Sequence, residues 1–277
     1  MPNKVSKKEK FKAFLKRNTT RTWAKRFSYQ VVAFLISLCM VVGVTTYAFT
    51  KSYDQMKLHF VDGFALCVHT GAYNTAQNSM EFVDAGISNN ALSIEFNVRQ
   101  RPDGTVVMGN DIITTNNDGI ELSSVFDKIK DTDISVNLVV DDIRVLSGLH
   151  DLIMEYGIAD QVFLTGIEVF QAGKVTEQCP DVDFYVNYMP SRIKIFSDDY
   201  QQKMIDIVEK SGAIGMNCNF AYISRTLADV LHENGYKLSV WTVDTQWTVK
   251  RVLVSMPDVL TTNEPELVQS IIDNWGK

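Results

Sequence analysis

The stretch "CVHTGAYNTAQNSMEFVDAGISNNALSIEFNV", residues 67–98, contains one strand-helix-strand unit. A short apolar run ends at His69, a helical pattern follows over residues 74–86, and a second apolar run covers residues 91–97. Two parallel strands need a connection of about a dozen residues or more, which is usually a helix. The stretch therefore predicts two neighbouring parallel strands with a helix between them.

The same alternation continues through the rest of the chain. The helical patterns include residues 144–157, 198–212, 224–235 and 264–275, and the strand candidates are residues 63–69, 91–97, 133–140, 161–165, 182–187, 213–217, 237–242 and 258–261. Residues 101–111 interrupt the order with a turn at Asp103-Gly104 and a short extra strand. Eight parallel strands with helices between them predict an α/β fold, a TIM (β/α)8 barrel over residues 62–277.

The N-terminal segment differs sharply from the barrel. Residues 1–28 carry ten Lys and Arg against the single acid Glu9, and residues 29–49 carry no charge. An uncharged apolar run of this length matches the roughly 20 residues that cross a bilayer as a helix. A cleaved signal peptide is the alternative, but its apolar region is shorter, about 7–15 residues. We therefore predict a single transmembrane helix over residues 29–49.

The charge distribution predicts an orientation for this helix. The basic arm, residues 1–28, belongs in the cytoplasm by the positive-inside rule, so residues 50–61 form a juncture and the barrel lies outside the plasma membrane. The whole chain carries −6 and the arm carries +9, which leaves −15 for residues 50–277. So acidic a domain argues against nucleic acid as a partner, whereas the arm suits anionic lipid headgroups.

Cysteines give less information. Outside the predicted span lie Cys67, Cys179 and Cys218, an odd number without a CxxC spacing. One disulfide remains an open alternative, but buried thiols are the favoured interpretation.

Polar side chains stand where the predicted strands end, and that end of a barrel carries the active site. They are His69, Glu95, Asn97, Asn110, Asp111, Asn137, Asp141, Asn217 and Trp241. Alternation along a strand puts Glu95 on the same face as Asn97. A carboxylate that points into the barrel is costly unless it is paired or bound to a metal, so Glu95 predicts a functional site.

Several short motifs resemble one known family. "HTGA", "IEFNV" and "PDGTVVMGND" near the start, and "GYKLSVWTVDT" and "PDVLTTNEPELV" near the end, are similar to the glycerophosphodiester phosphodiesterase family of the PI-PLC-like phosphodiesterase superfamily. The similarity spans roughly residues 62–275. It implies a barrel that hydrolyses glycerophosphodiesters with two catalytic histidines and a divalent cation, Ca²⁺ or Mg²⁺, bound by carboxylates.

The resemblance assigns roles and also shows departures. It implies that His69 and Asn110 occupy the two histidine positions, and that Glu95, Asn97 and Asn137 occupy the metal positions. Asn97 and Asn137 thus replace carboxylates, although Asp141 is a candidate substitute whose favoured interpretation is a solvated loop acid. Substrate contacts fall to Thr70 (at the family's arginine), Asp111, Asn217 and Trp241.

Three hypotheses remain open for the function. The favoured one is a catalytically degraded, membrane-anchored member that binds phosphate or a polyol and needs no cation. The second is a slow phosphodiesterase that uses His69 and a cation on Glu95, with a glycerophosphodiester, a lipid headgroup or a glycerol-phosphate polymer as substrate. The third is a structural membrane component whose pocket is irrelevant.

Overall fold

A computed structural model describes residues 6–18, 21–109 and 112–277 of the chain. The chain divides into two compact units, residues 1–52 and residues 53–277. The predicted residues Asn110 and Asp111 lie outside the described residues, so the structure does not place them.

The first unit is helical. Helix α1 covers Lys7–Asn18 and α2 covers Arg21–Asp54. Within α2, the segment Lys25–Asp54 is long and apolar enough to cross a membrane, and an 18-residue window within it has a mean hydropathy of 2.2. The apolar segment that we predict at residues 29–49 is thus one part of a longer helix. No Gly or Pro follows until Gly63, so nothing in the sequence stops the helix at residue 49.

The second unit is a closed parallel barrel, as predicted. Its eight barrel strands are β1 (Ala65–Val68), β2 (Ser93–Gln100), β5 (Ser135–Val140), β6 (Val162–Glu168), β7 (Asp183–Asn187), β8 (Gly215–Asn219), β9 (Lys237–Trp241) and β10 (Val259–Thr262). They pair in chain order, and β1 pairs with both β10 and β2, which closes the barrel. The predicted extra strand is β3 (Val106–Met108), antiparallel to β2, and β4 (Ile120–Glu121) pairs with it.

Helices cover the outside of the barrel. They are α3 (Met80–Ser88), α4 (Leu122–Ile129), α5 (Leu146–Tyr156), α6 (Ala172–Gln178), α7 (Asp198–Ser211), α8 (Arg225–Glu233), α9 (Gln246–Leu253) and α10 (Pro265–Asp273). Two of the helices are capped by a glycine with positive φ, α5 by Gly157 and α7 by Gly212. The Ser79 hydroxyl caps α3 by accepting from the Phe82 N–H at 3.1 Å.

The core has an outer layer and an inner layer. The outer layer packs strand residues such as Phe96 and Leu138 against the helices. The inner layer fills the lower half of the barrel with Cys67, Phe163, Tyr185 and Val259. Cysteines 67, 179 and 218 are buried free thiols, and burial raises the pKa of Cys179 and of Cys218 to about 12. Such thiols are structural rather than reactive.

The barrel unit starts before the predicted boundary at residue 62. Lys250 in α9 forms a buried ion pair with Asp54, and the indole N–H of Trp275 donates to the Met56 carbonyl at 2.8 Å. These contacts attach Asp54 to α9 and Met56 to the segment that follows α10. The predicted polar juncture is therefore partly built into the barrel, because its one acidic residue neutralises a lysine that is 8% exposed.

Candidate ligand pocket at the carboxyl ends of the strands

A pocket of about 250 Å³ opens at the carboxyl ends of the barrel strands. The predicted residues that line it are His69, Glu95, Asn97, Asp141, Asn217 and Trp241, and they are joined by Val139, Thr165, Gly166, Asn187 and Thr242. Residues predicted from five separate stretches of sequence are thus brought to one cavity. Asn137 lies beneath it, at 1% exposure, rather than on its wall.

His69 is held by a short polar chain. Its Nδ1 lies 2.8 Å from Asn263 Oδ1, and the amide nitrogen of Asn263 donates to Asp244 at 2.8 Å. Since that amide presents its oxygen to the ring, Nδ1 carries the hydrogen and Nε2 is directed at the pocket. Nε2 lies 3.6 Å from Glu95 Oε1. The imidazole is therefore oriented by Asn263 and Asp244, which the sequence did not single out.

Glu95 is the buried carboxyl at the centre of the site. Its Oε2 accepts a hydrogen bond from Asn137 Nδ2 at 2.6 Å and another from Thr261 Oγ1 at 3.2 Å. Burial raises the pKa of Glu95 above its ordinary value, while the nearby His69 and these two donors oppose the shift. Oε2 is thus satisfied from within the barrel, whereas Oε1 faces the imidazole of His69.

Asn97 and Asp141 form the neighbouring wall. Asn97 Nδ2 donates to Asp141 Oδ2 at 2.9 Å, and Arg99 contacts the same oxygen at 2.8 Å. Asp141 is exposed and lies in the loop after β5, in agreement with the favoured interpretation of a solvated loop acid, and it also pairs with Arg99 and lines the pocket. Its other interpretation, as a substitute metal ligand beside Asn137, stays a prediction, because its Oδ2 faces an amide and a guanidinium.

Thr70 is not on the pocket wall, contrary to the predicted substrate contact. It is 2% exposed, and its hydroxyl accepts from the Asn78 N–H at 2.6 Å. Asn78 Oδ1 in turn accepts from the Asn97 N–H at 2.8 Å. The threonine side chain is too short to reach the pocket. Through Asn78 it instead connects the loop after β1 to the end of β2.

The opposite wall consists of amides and an indole. Asn217 Nδ2 donates to Asn187 Oδ1 at 3.0 Å, and Asn187 Nδ2 donates to Glu168 at 3.0 Å. The indole N–H of Trp241 is buried and has no hydrogen-bond partner among the described residues. Thr165 and Asn187 were missed as site residues even though both lie at predicted strand ends. That position was the signal available in the sequence.

The donors do not fit a hard divalent cation. Ca²⁺ and Mg²⁺ prefer several carboxylate oxygens, but the groups around Glu95 are the NH₂ of Asn137, a threonine hydroxyl and an imidazole. Among the described residues, no group of three His, Cys, Asp or Glu side chains could hold a metal ion. The described groups around Glu95 thus form a hydrogen-bonded cluster rather than a set of carboxylate ligands.

Solved structures share the barrel at low sequence identity. A phosphodiester hydrolase described as a putative glycerophosphoryl diester phosphodiesterase from Silicibacter pomeroyi has a TM-score of 0.64 and 13% identity, and the match covers 78% of this chain and 96% of that one. A putative glycerophosphodiester phosphodiesterase from Galdieria sulphuraria has a TM-score of 0.61 and 17% identity over 79% and 100%.

A third neighbour carries a ligand. An Oleispira antarctica phosphodiesterase, solved in complex with the product sn-glycerol-3-phosphate, has a TM-score of 0.62 and 15% identity over 76% of this chain and 98% of that one. No protein-family model matches the chain, and a search of curated proteins finds no match. At these identities the likeness shows the fold alone: the barrel has the fold of glycerophosphodiester phosphodiesterases, which confirms the fold that the sequence motifs implied.

Proposed function

We propose that the chain is a membrane-anchored, catalytically degraded relative of the glycerophosphodiester phosphodiesterases, whose pocket binds a phosphate- or polyol-bearing headgroup. The observation that carries this proposal is the bond from Asn137 Nδ2 to Glu95 Oε2 at 2.6 Å. An amide hydrogen occupies the place next to the carboxylate where the family resemblance implies a metal. One oxygen of Glu95, Oε2, is thus used for hydrogen bonds within the barrel.

Loss of proton transfer supports the same conclusion. Hydrolysis of a phosphodiester needs one group to take a proton and another to give one to the leaving alkoxide. His69 is the one histidine that lines the pocket among the described residues, and the second family position is Asn110. An amide does not titrate near neutral pH. A bound diester would therefore be held without a general acid.

The pocket chemistry favours the hydroxyl groups of a ligand. The described wall contains no lysine or arginine, and its charged side chains are Glu95 and Asp141 beside the imidazole. Asparagine amides, threonine hydroxyls and one indole donate to and accept from a polyol without needing charge. The glycerol-3-phosphate in the Oleispira antarctica neighbour supports a ligand of the glycerophosphate type, attached to a lipid or a polymer.

The anchor is α2. Its apolar segment is long enough to span the bilayer, and the basic residues that precede it place the N-terminus in the cytoplasm. The barrel then lies on the outer face of the plasma membrane, where headgroups and surface polymers of glycerol phosphate are accessible.

A turnover assay tests the proposal. Purified full-length protein in detergent is incubated with glycerophosphocholine and Ca²⁺, Mg²⁺ or Mn²⁺, and release of glycerol 3-phosphate is measured. We expect no release above a no-protein blank, together with a thermal shift on adding glycerol 3-phosphate that is reduced in Asn217→Ala. Turnover that is abolished by His69→Ala would contradict the proposal.

A slow phosphodiesterase is the second candidate, and the orientation of His69 favours it. The Nδ1 bond to Asn263 leaves Nε2 directed at the pocket, as a general base requires. This candidate also needs a cation bound at Glu95. Calorimetric titration with Ca²⁺ separates the two, because only a phosphodiesterase should show binding heat that is lost in Glu95→Gln.

A further inference from the structure

One side of the pocket mouth exposes large apolar side chains. We define the apolar rim as Val169, Phe170, Met189, Ile193, Phe196 and Tyr222, which lie in the loops after β6, β7 and β8. Phe170, Ile193 and Phe196 are 84%, 86% and 72% exposed. These strands are neighbours in the barrel, so their loops are adjacent, and they border the wall formed by Asn187 and Asn217.

The loop after β7 is held firmly although it exposes these side chains. Ile195 is buried in the core at 3% exposure, and its carbonyl accepts from Gln201 Nε2 at 2.8 Å. The Tyr200 hydroxyl accepts from the Ser191 N–H at 2.7 Å. The loop thus has an internal anchor, and Ile193 and Phe196 point outward from a fixed backbone. Exposed apolar patches of this kind mark interaction sites.

Two cations alternate with the rim residues. Arg192 and Lys194 flank Ile193 and are exposed, and neither forms an ion pair with another described residue. The barrel as a whole is strongly acidic, so this local positive charge stands out. Asp198 and Asp199 follow, but they lie in the first turn of α7, where the helix dipole favours carboxylates. Apolar and basic side chains in alternation are typical of surfaces that lie in a lipid headgroup layer.

The tether supplies proximity to a bilayer. The barrel unit starts at Tyr53, only a few residues after the apolar run of α2 ends at Phe49. A tethered surface needs little affinity of its own, because docking becomes intramolecular.

We propose that the apolar rim, with Arg192 and Lys194, docks on the outer surface of a bilayer that contains anionic lipid, so that the pocket mouth faces lipid headgroups. This inference rests on the proposed membrane anchor. It does not require the pocket to bind or to hydrolyse a particular ligand.

The test places a polarity-sensitive fluorophore on the rim. Full-length protein with Cys39→Ser receives a single added cysteine by Ile193→Cys, and an otherwise identical protein receives Leu92→Cys as the matched control. Leu92 is 60% exposed and precedes β2, at the opposite end of the barrel. Both proteins are labelled and inserted into nanodiscs of phosphatidylcholine with or without phosphatidylserine. The buried thiols remain unlabelled in the folded protein.

We expect blue-shifted emission and quenching by spin-labelled lipid at position 193 in the anionic nanodiscs, and neither at position 92. Arg192→Gln with Lys194→Gln should lower the ratio of docked to undocked protein about thirtyfold, from the typical contribution of two cations near an anionic surface. If the protein enters the nanodiscs but emission is equal at both positions, docking of the rim is overturned and the anchor is not. Equal docking with and without phosphatidylserine overturns the role of anionic lipid. Failure to enter nanodiscs overturns the anchor and docking with it, whereas the turnover assay tests the pocket separately.

Discussion

The two ends of the barrel interior contain different kinds of side chain. The lower end is filled by Cys67, Phe163, Tyr185 and Val259, which pack against one another. The upper end holds His69, Glu95, asparagines and threonines in a hydrogen-bonded cluster. Apolar packing at the lower end is needed by any chain with this fold. The polar cluster is costly to bury unless its groups are hydrogen-bonded to one another.

The contrast extends to identical residue types. Phe96 is completely buried in the outer core layer, whereas Phe170 is 84% exposed at the mouth. The same side chain therefore stabilises the fold at one position and is available for contacts at the other. Substitutions of the same residue type at the two positions can distinguish residues that stabilise the barrel from residues that form contacts at the pocket mouth.

The largest expected effect is at Phe96. Phe96→Ala leaves a cavity in a well-packed layer, so the free energy of unfolding should fall by about 4 kcal/mol. Urea denaturation followed by circular dichroism measures the change in full-length protein. A loss below about 1 kcal/mol would show that the outer layer is loosely packed and would break the comparison.

The next largest effect is expected for Asn137→Glu. This change restores the carboxylate that the family resemblance implies, but it places a second negative charge beside Glu95 at a position with 1% exposure. Without a cation, we expect a loss of about 3 kcal/mol, which is typical of an uncompensated buried charge.

Calcium should reverse part of that loss. The thermal midpoint of Asn137→Glu should rise when Ca²⁺ is added, and Asn137→Gln serves as the uncharged control of the same size. The metal-site interpretation of these positions would be contradicted if added Ca²⁺ changed the thermal midpoint of the wild type but not that of Asn137→Glu.

A smaller effect is expected from Glu95→Gln. The folded protein raises the pKa of Glu95 above 4.5, so folding favours the protonated carboxyl. The stability from this group is present at low pH and is lost as pH rises from 4.5 through the raised pKa. Glutamine keeps the acceptor for Asn137 and Thr261 without the charge. The variant should be about 1 kcal/mol more stable than wild type at pH 8.

The pH dependence provides the control for Glu95→Gln. Thermal midpoints measured across pH should show a decline in the wild type toward alkaline pH that is flatter in the variant. A variant that loses stability at pH 8 would mean that the ionised carboxylate stabilises the cluster.

The smallest effect is expected at Phe170. Phe170→Ala removes an exposed ring, so the free energy of unfolding should change by less than about 0.5 kcal/mol. The same urea titration as for Phe96→Ala gives the direct contrast. A loss comparable to that of Phe96→Ala would show that the rim is part of the core and would remove the basis for membrane docking.

The barrel was predictable because its signal is repeated. Alternation of apolar runs and helical patterns occurs in every unit, so errors of a few residues at strand ends did not alter the fold. The position of the site followed from the rule that barrel strands end at the active face, which correctly brought His69, Glu95 and Trp241 together.

The contacts within the site could not be predicted in the same way. The Thr70 hydroxyl lies away from the pocket because it accepts a hydrogen bond from the Asn78 N–H. Asp141 pairs with Arg99, which follows Asn97 by two residues in β2. Such pairings depend on distances between side chains from separate strands. The start of the barrel unit was also missed, because the buried lysine that needs Asp54 lies almost 200 residues later in the chain.

The pair formed by Asp54 and Lys250 has a practical consequence for where the protein can be cut. A soluble truncation that starts at residue 62 would leave the Lys250 ammonium buried without its partner and would remove the Met56 carbonyl that accepts from Trp275. An unpaired buried charge costs several kcal/mol, which is a large share of the stability of an ordinary domain. Cleavage between residues 50 and 52 would leave an intact barrel unit, whereas cleavage ten residues later would leave one prone to unfold.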